Sequence, residues 1–307
     1  MKNILIILIT LIFSLPTHAQ EYKLAKNSGK LIITVPGAII EGYSGNEIII
    51  TKTTSNEPIV VKGYKLKPTS AKGNNQEMTI KGDSISLNSA PTPSETKIFP
   101  RTFDRKEEEY RSKGLRVISA DGLLDNTGLG LHVNDKGSII EINSVTKLNL
   151  QPFLIRIPKG ISVSYNTVNS YSPNVIIRNI ESEVEVSMTY GGVKVDNVTG
   201  PLTINTMYGD IEASLASNVK YPITLLTLNG FIDLSIPAST QANLMMSSKM
   251  SDVLVSPDLN FVVMKSENRA FEPDRRAPNK PIEGKLNGGG GEISAKTTNG
   301  MIYLRNK

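Results

Sequence analysis

Cysteine and tryptophan are absent from this 307-residue chain, and it holds only two histidines, His18 and His132. Without cysteine there is no disulfide framework, no thiol nucleophile and no lipid-attachment box. Zinc sites built from His and Cys are excluded for the same reason. A nucleophilic triad needs a base beside its nucleophile. Beyond the N-terminal leader the one histidine is His132, which sits on an alternating strand pattern and reads as a hydrogen-bonded structural residue. The glycine run Gly288-Gly289-Gly290-Gly291 precedes a strand rather than a helix and lacks the Lys-Ser/Thr pair of a phosphate-binding loop. No aromatic-basic stacking motif is present, so no nucleic-acid partner is expected.

Long apolar runs are equally scarce. One stands at the start, where Lys2 precedes the run from Ile4 to Phe13 and Thr17-His18-Ala19 offers a small residue before a cut. That layout is a secretory signal peptide over residues 1–19, cleaved before Gln20. About ten apolar residues are too few to span a hydrocarbon core of ~30 Å, and no membrane span is expected after cleavage. The compartment that follows is exported: periplasmic, outer-membrane-associated or secreted. The net charge of +5 is spread along the chain, as in an ordinary soluble surface. Apolar residues make up 39% and charged residues 21%, which suits a folded protein rather than a disordered one.

What the chain does have is a rhythm. From Pro173 to Leu215 a turn residue, a free position and a triplet of apolar, polar or small, and apolar residues return every nine residues, with Ile176 alone breaking the alternation. The copies are Pro173-Asn174-Val175-Ile176-Ile177, Ser182-Glu183-Val184-Glu185-Val186 and Gly191-Gly192-Val193-Lys194-Val195. Gly200-Pro201-Leu202-Thr203-Ile204 and Gly209-Asp210-Ile211-Glu212-Ala213 complete the series. Alternation places successive side chains on opposite sides and marks strands with one buried face. Glycine at the corner supplies the backbone freedom of a tight bend. Short strands at fixed spacing predict an all-β, single-chain parallel β-solenoid with loop excursions. The corners Gly191, Gly209 and Gly230, with Ser251 in the same role, recur at 18 to 21 residues, so each coil should hold about two strands, with three as the rival count.

The predicted organisation is a signal peptide at 1–19, an N-terminal β segment of first coils at 20–89, and a connector at 90–114. The main solenoid follows over 115–307, with a charged, proline-rich loop projecting at 266–290. Strands closed by proline recur as Val35-Pro36, Ile157-Pro158 and Ile236-Pro237, since proline cannot donate to a ladder and belongs where a strand leaves its sheet.

The segments Asp210-Ile211, Thr227-Leu228-Asn229-Gly230-Phe231-Ile232-Asp233-Leu234, Gly290-Gly291-Glu292-Ile293 and Thr298-Asn299-Gly300-Met301-Ile302-Tyr303-Leu304 resemble the bacterial putative-adhesin family. Its members are exported β-solenoids of a domain of unknown function with recurrent t-x-x-G-x-I turns. The resemblance covers Leu154 to Lys307 best and Leu31 to Thr51 more loosely. It implies a fold and transfers no catalytic residue.

Candidate binding residues lie on corners and loops. Tyr190 and Tyr208 occupy equivalent corners, where they should stack on each other and offer a face to a sugar ring. Arg275, Arg276 and Lys280 on the projecting loop are candidates for partner contact, because loops on a rigid scaffold carry specificity. With two strands per coil, Lys194, Glu212 and Asp233 stack on one outward face, flanked by Asp210 and Asp252. Those carboxylates are the one candidate site for Ca²⁺; otherwise no cofactor is expected. The functional expectation is a non-catalytic envelope protein: an adhesin, scaffold or binding module for a cell-surface glycan or envelope protein. A glycan-acting β-helix enzyme of the polysaccharide lyase type, and a periplasmic sensor or regulator partner, are the alternatives.

Overall fold

The structure, a computed structural model, describes residues 21–53, 113–115, 118–119, 121–146, 152–167, 174–264 and 281–307. The signal segment, the first strand triplet's Pro173, the strands expected at Ile59–Val61, Glu77–Ile80 and Ser84–Leu87, and most of the connector lie outside those residues. The chain divides into two units, residues 1–64 with 117–307 and residues 65–116, and every strand below belongs to the first.

The described residues contain no helix; their regular structure is strands alone. The first seven are β1 (Glu21–Ala25), β2 (Gly29–Thr34), β3 (Ala38–Tyr43), β4 (Glu47–Lys52), β5 (Leu131–Asp135), β6 (Ile139–Ser144) and β7 (Phe153–Pro158). The central series is β8 (Ile161–Thr167), β9 (Val175–Arg178), β10 (Val184–Tyr190), β11 (Val193–Val198), β12 (Leu202–Tyr208), β13 (Ile211–Leu215), β14 (Ile223–Asn229) and β15 (Ile232–Ile236). The last six are β16 (Ala242–Ser248), β17 (Val253–Val255), β18 (Phe261–Val263), β19 (Ile282–Leu286), β20 (Gly291–Asn299) and β21 (Ile302–Asn306).

These strands form two large, mostly parallel sheets. Sheet A has ten strands in the order β1-β4-β7-β3-β9-β11-β13-β15-β21-β17, and sheet B has eleven in the order β18-β19-β16-β20-β14-β12-β10-β8-β2-β6-β5. From β8 to β15 the chain alternates between the sheets. Val184 pairs with Leu202 and Val193 with Ile211, two repeats further along the chain. Leu202 then pairs with Ile223 and Ile211 with Ile232, a slightly longer step. Among these strands, antiparallel pairing is confined to the sheet margins, at β1–β4, β4–β7, β5–β6, β16–β19 and β18–β19.

Strand order departs from chain order at both ends. β20 lies between β14 and β16, and β21 between β15 and β17, so the C-terminal pair is slotted into the sheets rather than laid on their margin. Likewise β2 sits between β6 and β8, and β3 between β7 and β9. Gly300 therefore follows Gly230 in the corner column, where the spacing in sequence pointed to Ser251. The projecting loop expected over 266–290 is also shortened: Ile282–Leu286 is β19, paired with both β16 and β18. Its alternation buries Gly284 and Leu286 while Glu283 and Lys285 face outward, a strand pattern masked in sequence by the neighbouring prolines and charges.

Inward Val, Ile and Leu side chains of both sheets merge in one core cluster. Each fully buried aliphatic contributes roughly 1.5–3 kcal/mol, and the gain recurs with every strand. Of the strand-closing prolines, Pro36 and Pro158 are buried and Pro237 is half-buried. Near the first, the buried Tyr165 hydroxyl donates to the Val35 carbonyl at 2.8 Å and accepts from Gly37 N–H at 3.1 Å, so its polar tip is satisfied inside the core.

Candidate functional site

The corner between sheets B and A is built by the repeated Tyr-Gly and Asn-Gly dipeptides. Backbone N–H groups of Gly191, Gly209 and Gly230 donate to the carbonyls of Tyr208, Asn229 and Asn299 at 3.0–3.1 Å, tying each corner to the next. Just before the corner a column of hydroxyls points inward. Thr206 donates to Gly191 O (3.3 Å), Thr227 to Gly209 O (2.9 Å), Thr297 to Gly230 O (3.0 Å) and Ser248 to Gly300 O (2.8 Å). These hydroxyls are buried, and bonding the corner carbonyls supplies partners that no strand neighbour provides.

Such corners hold their outward side chains in register. Tyr190 and Tyr208 stack with ring centroids 5.2 Å apart and planes 14° from parallel, as their equivalence in sequence predicted. The column continues as an amide pair, with Asn299 Nδ2 donating to Asn229 Oδ1 at 2.7 Å. Both tyrosines are about two-fifths exposed, and Met207 on β12 with Leu226 and Leu228 on β14 exposes apolar surface nearby on the same sheet.

Beyond the corner, the outward face of sheet A carries two parallel rows. The first is Lys194, Glu212, Asp233 and Tyr303, in register across β11, β13, β15 and β21. The second, two positions further on, is Asp196, Ser214, Ser235 and Arg305. All of these except Tyr303 line a shallow groove of about 220 Å³, and Tyr303 stands beside it, next to Asp233. Arg305 Nε donates to both carboxylate oxygens of Asp233, at 2.8 and 3.0 Å, and its guanidinium lies 5.1 Å from the Tyr303 ring centroid. The hydrogen bond to Asp233, then the charge of that carboxylate, hold Arg305 still more basic than usual. Phe231 meets Tyr303 edge to face, with centroids 6.2 Å apart, and the Tyr303 hydroxyl donates to Met301 Sδ at 3.0 Å.

The Lys194–Glu212–Asp233 row is thus where the repeat spacing placed it, but its two expected flanks part company. Asp210 and Asp252 stand at the two ends of a run whose middle members are Phe231 and Met301, because β21 intervenes. Asp233 is taken up by Arg305. Among the described residues no set of three His, Asp or Glu side chains converges on a point where a metal ion would sit. Arg275, Arg276 and Lys280 lie outside the described residues. His132, on β5, donates from Nδ1 to the Leu124 carbonyl at 2.7 Å and holds a turn.

Tyr303, Arg305, Phe231 and the two serines are the members that sequence reasoning did not bring to the site. A signal was there. Tyr303 stands three positions after Gly300, as Asp233 stands after Gly230, Glu212 after Gly209 and Lys194 after Gly191. Aligning Gly300 directly with Gly230 would have placed them.

Two solved structures resemble the chain. A protein described as a putative cell adhesion protein from Clostridium sporogenes ATCC 15579 is 10% identical, with a TM-score of 0.41, over 94% of this chain and 99% of that one. One described as a putative adhesin from Bacteroides fragilis NCTC 9343 is also 10% identical, with a TM-score of 0.37, over 94% and 96%. No curated protein matches the chain. The Toastrack DUF4097 family model matches residues 139–302, more than half the chain and the stretch that holds both the tyrosine corner and most of the charged groove, and the chain belongs to that family.

Proposed function

We propose that this is an exported, non-catalytic protein of the cell envelope, an adhesin or scaffold that presents a binding surface. In this reading the chain winds as a parallel β-solenoid with two strands per coil, one coil being the step from Gly191 to Gly209 or from Gly209 to Gly230. The observation that carries the proposal is the register of its outward side chains. Tyr190 lies over Tyr208, Asn229 over Asn299, and the two polar rows run across four neighbouring strands. A hydrogen-bonded scaffold that repeats the same outward position on each strand displays side chains at a pitch of about 4.8 Å. Such a display suits recognition of an extended, repetitive partner such as a glycan chain or a strand-rich envelope protein.

The test is a pull-down of purified cell-envelope fragments on the immobilised full chain, alongside incubation with uronic-acid polysaccharides. Retention of envelope material without cleavage is the expected result, weakened in the Tyr190→Ala, Tyr208→Ala double variant. Release of unsaturated sugar products would overturn the reading in favour of a lyase. Calcium titration is expected to leave the melting temperature unmoved, since the carboxylates on the groove face are separated or already paired.

A further inference from the structure

The groove on sheet A has a composition that narrows its ligand. Its charged members carry both signs: Lys194 on β11 and Arg305 on β21 are cationic, and Asp196 on β11, Glu212 on β13 and Asp233 on β15 are anionic. Asp233 and Arg305 neutralise each other at 2.8 Å. An anionic ligand would meet Asp196 and Glu212, and a cationic one would meet Lys194 one rung from Glu212. With Asp233 and Arg305 paired, one lysine is left beside two carboxylates, so a ligand of either sign meets a like charge in the groove. What the groove does offer is a dense set of hydrogen-bonding groups. Carboxylates accept, lysine donates, and the hydroxyls of Ser214 and Ser235 on the floor do both.

Beside the groove, next to Asp233 and outside its lining, stands an aromatic ring. Tyr303 is half-buried and gripped from three sides, by the Phe231 edge, the Arg305 guanidinium and the Met301 sulfur. A ring so held loses little freedom when something lies on it. Hydroxyl-sized donors and acceptors beside a fixed aromatic platform match a molecule with polar edges and an apolar face. From β11 to β21 the array spans three inter-strand steps, about 14 Å at about 4.8 Å each.

We infer that this groove is a binding subsite for an uncharged sugar unit of a glycan, with the neighbouring Tyr303 as a platform at its border and Glu212, Ser214, Ser235 and Lys194 bonding its hydroxyls. The inference rests on the binding-module reading above and names the ligand chemistry of one of its surfaces. Glu212 and Lys194 accept and donate across neighbouring rungs, as vicinal hydroxyls require. Arg305 acts through Tyr303 and Asp233, holding both in place.

The experiment is titration calorimetry of the full chain with cello-, malto- and mannohexaose, a chitosan hexamer and an oligogalacturonate. Saturable binding to at least one neutral hexasaccharide is expected, little changed between low and high salt. Tyr303→Ala should weaken it about tenfold, Glu212→Ala should weaken it too, and Tyr303→Phe should retain it because the platform survives. Circular dichroism of each variant checks folding. Binding confined to the charged oligosaccharides, or neutral binding indifferent to Tyr303→Ala, would overturn the inference. Capture of whole envelope fragments without any neutral-sugar binding would remove this subsite and leave the binding-module reading standing; failure of both would end both.

Discussion

At Gly209 the room a side chain would need is already taken by backbone. A Cβ there would fall 1.9 Å from the Gly191 carbonyl oxygen, and the same collision repeats at Gly230 against Gly209 and at Gly300 against Gly230. The glycine column is therefore set by close approach of successive corners. Gly209→Ala should cost about 1–3 kcal/mol through overpacking, read as a lower urea midpoint, whereas Gly137→Ala, with open space around it, should be marked only by its left-handed backbone. The hydroxyl beneath each corner is a second, smaller contribution. Thr227→Val keeps shape and burial but strips the bond to Gly209 O, with an expected loss of about 1 kcal/mol. Asp125 gives the pH dependence its sign. Burial raises its pKa, but bonds from the Thr127, Gly130 and Gly128 N–H groups and the Thr127 hydroxyl outweigh burial and hold the pKa below 3.8. A carboxylate depressed in the folded state stabilises fully above its unfolded pKa and loses that effect as pH falls through the folded value. Hydrogen exchange in the Leu124–Leu131 turn should quicken as pH is lowered below about 4, relative to intrinsic rates, and Asp125→Ala should remove that acid dependence.

Among the elements, β13 shows how much of the fold was legible. Ile211-Glu212-Ala213 alternates as read, with Ile211 fully buried and Glu212 outward. Ile211→Asp places an unpaired carboxylate between β11 and β15 in the core, and thermal melting should show loss of the cooperative transition rather than a small shift. Alternation and corner spacing carry this information because burial acts on each residue locally. They carry none about which strand lies beside which. Asn229-Gly230 and Asn299-Gly300 are the same dipeptide with the same downstream pattern, so either Gly300 or Ser251 satisfied the corner rule. The pairing that decides between them joins residues 70 apart in the chain. The stacked tyrosines were legible because each sits immediately before a corner glycine and only two repeats separate them. Tyr303 and Arg305 were not, because their neighbours on β15 are supplied by that long-range insertion.

For the whole molecule the insertion changes what the C-terminus does. In a simple stack of repeats, stability is nearly a sum of unit and neighbour contributions, and removing the last unit costs only its own share. Here β20 is bonded to β14 on one side and β16 on the other, and β21 to β15 and β17. Deleting residues 287–307 would take a strand from the interior of each sheet at once. It would uncover the buried Ile223, Leu225, Ile232 and Leu234 along two new edges and separate β16 and β17 from everything N-terminal to them. Unpaired edges of that length invite association with other chains. The truncated protein should therefore lose its cooperative melt and aggregate, with dye binding to exposed apolar surface. Removing β1 by deleting residues 21–25, a strand at the margin of sheet A, should instead lower the melting temperature by a few degrees and leave the transition cooperative. If the two deletions behaved alike, the C-terminal pair would be a dispensable end unit and the slotted arrangement would be wrong. If only the C-terminal deletion collapses, residues 287–307 are the part that closes both sheets, and the groove that Arg305 lines is completed only when β21 docks beside β15.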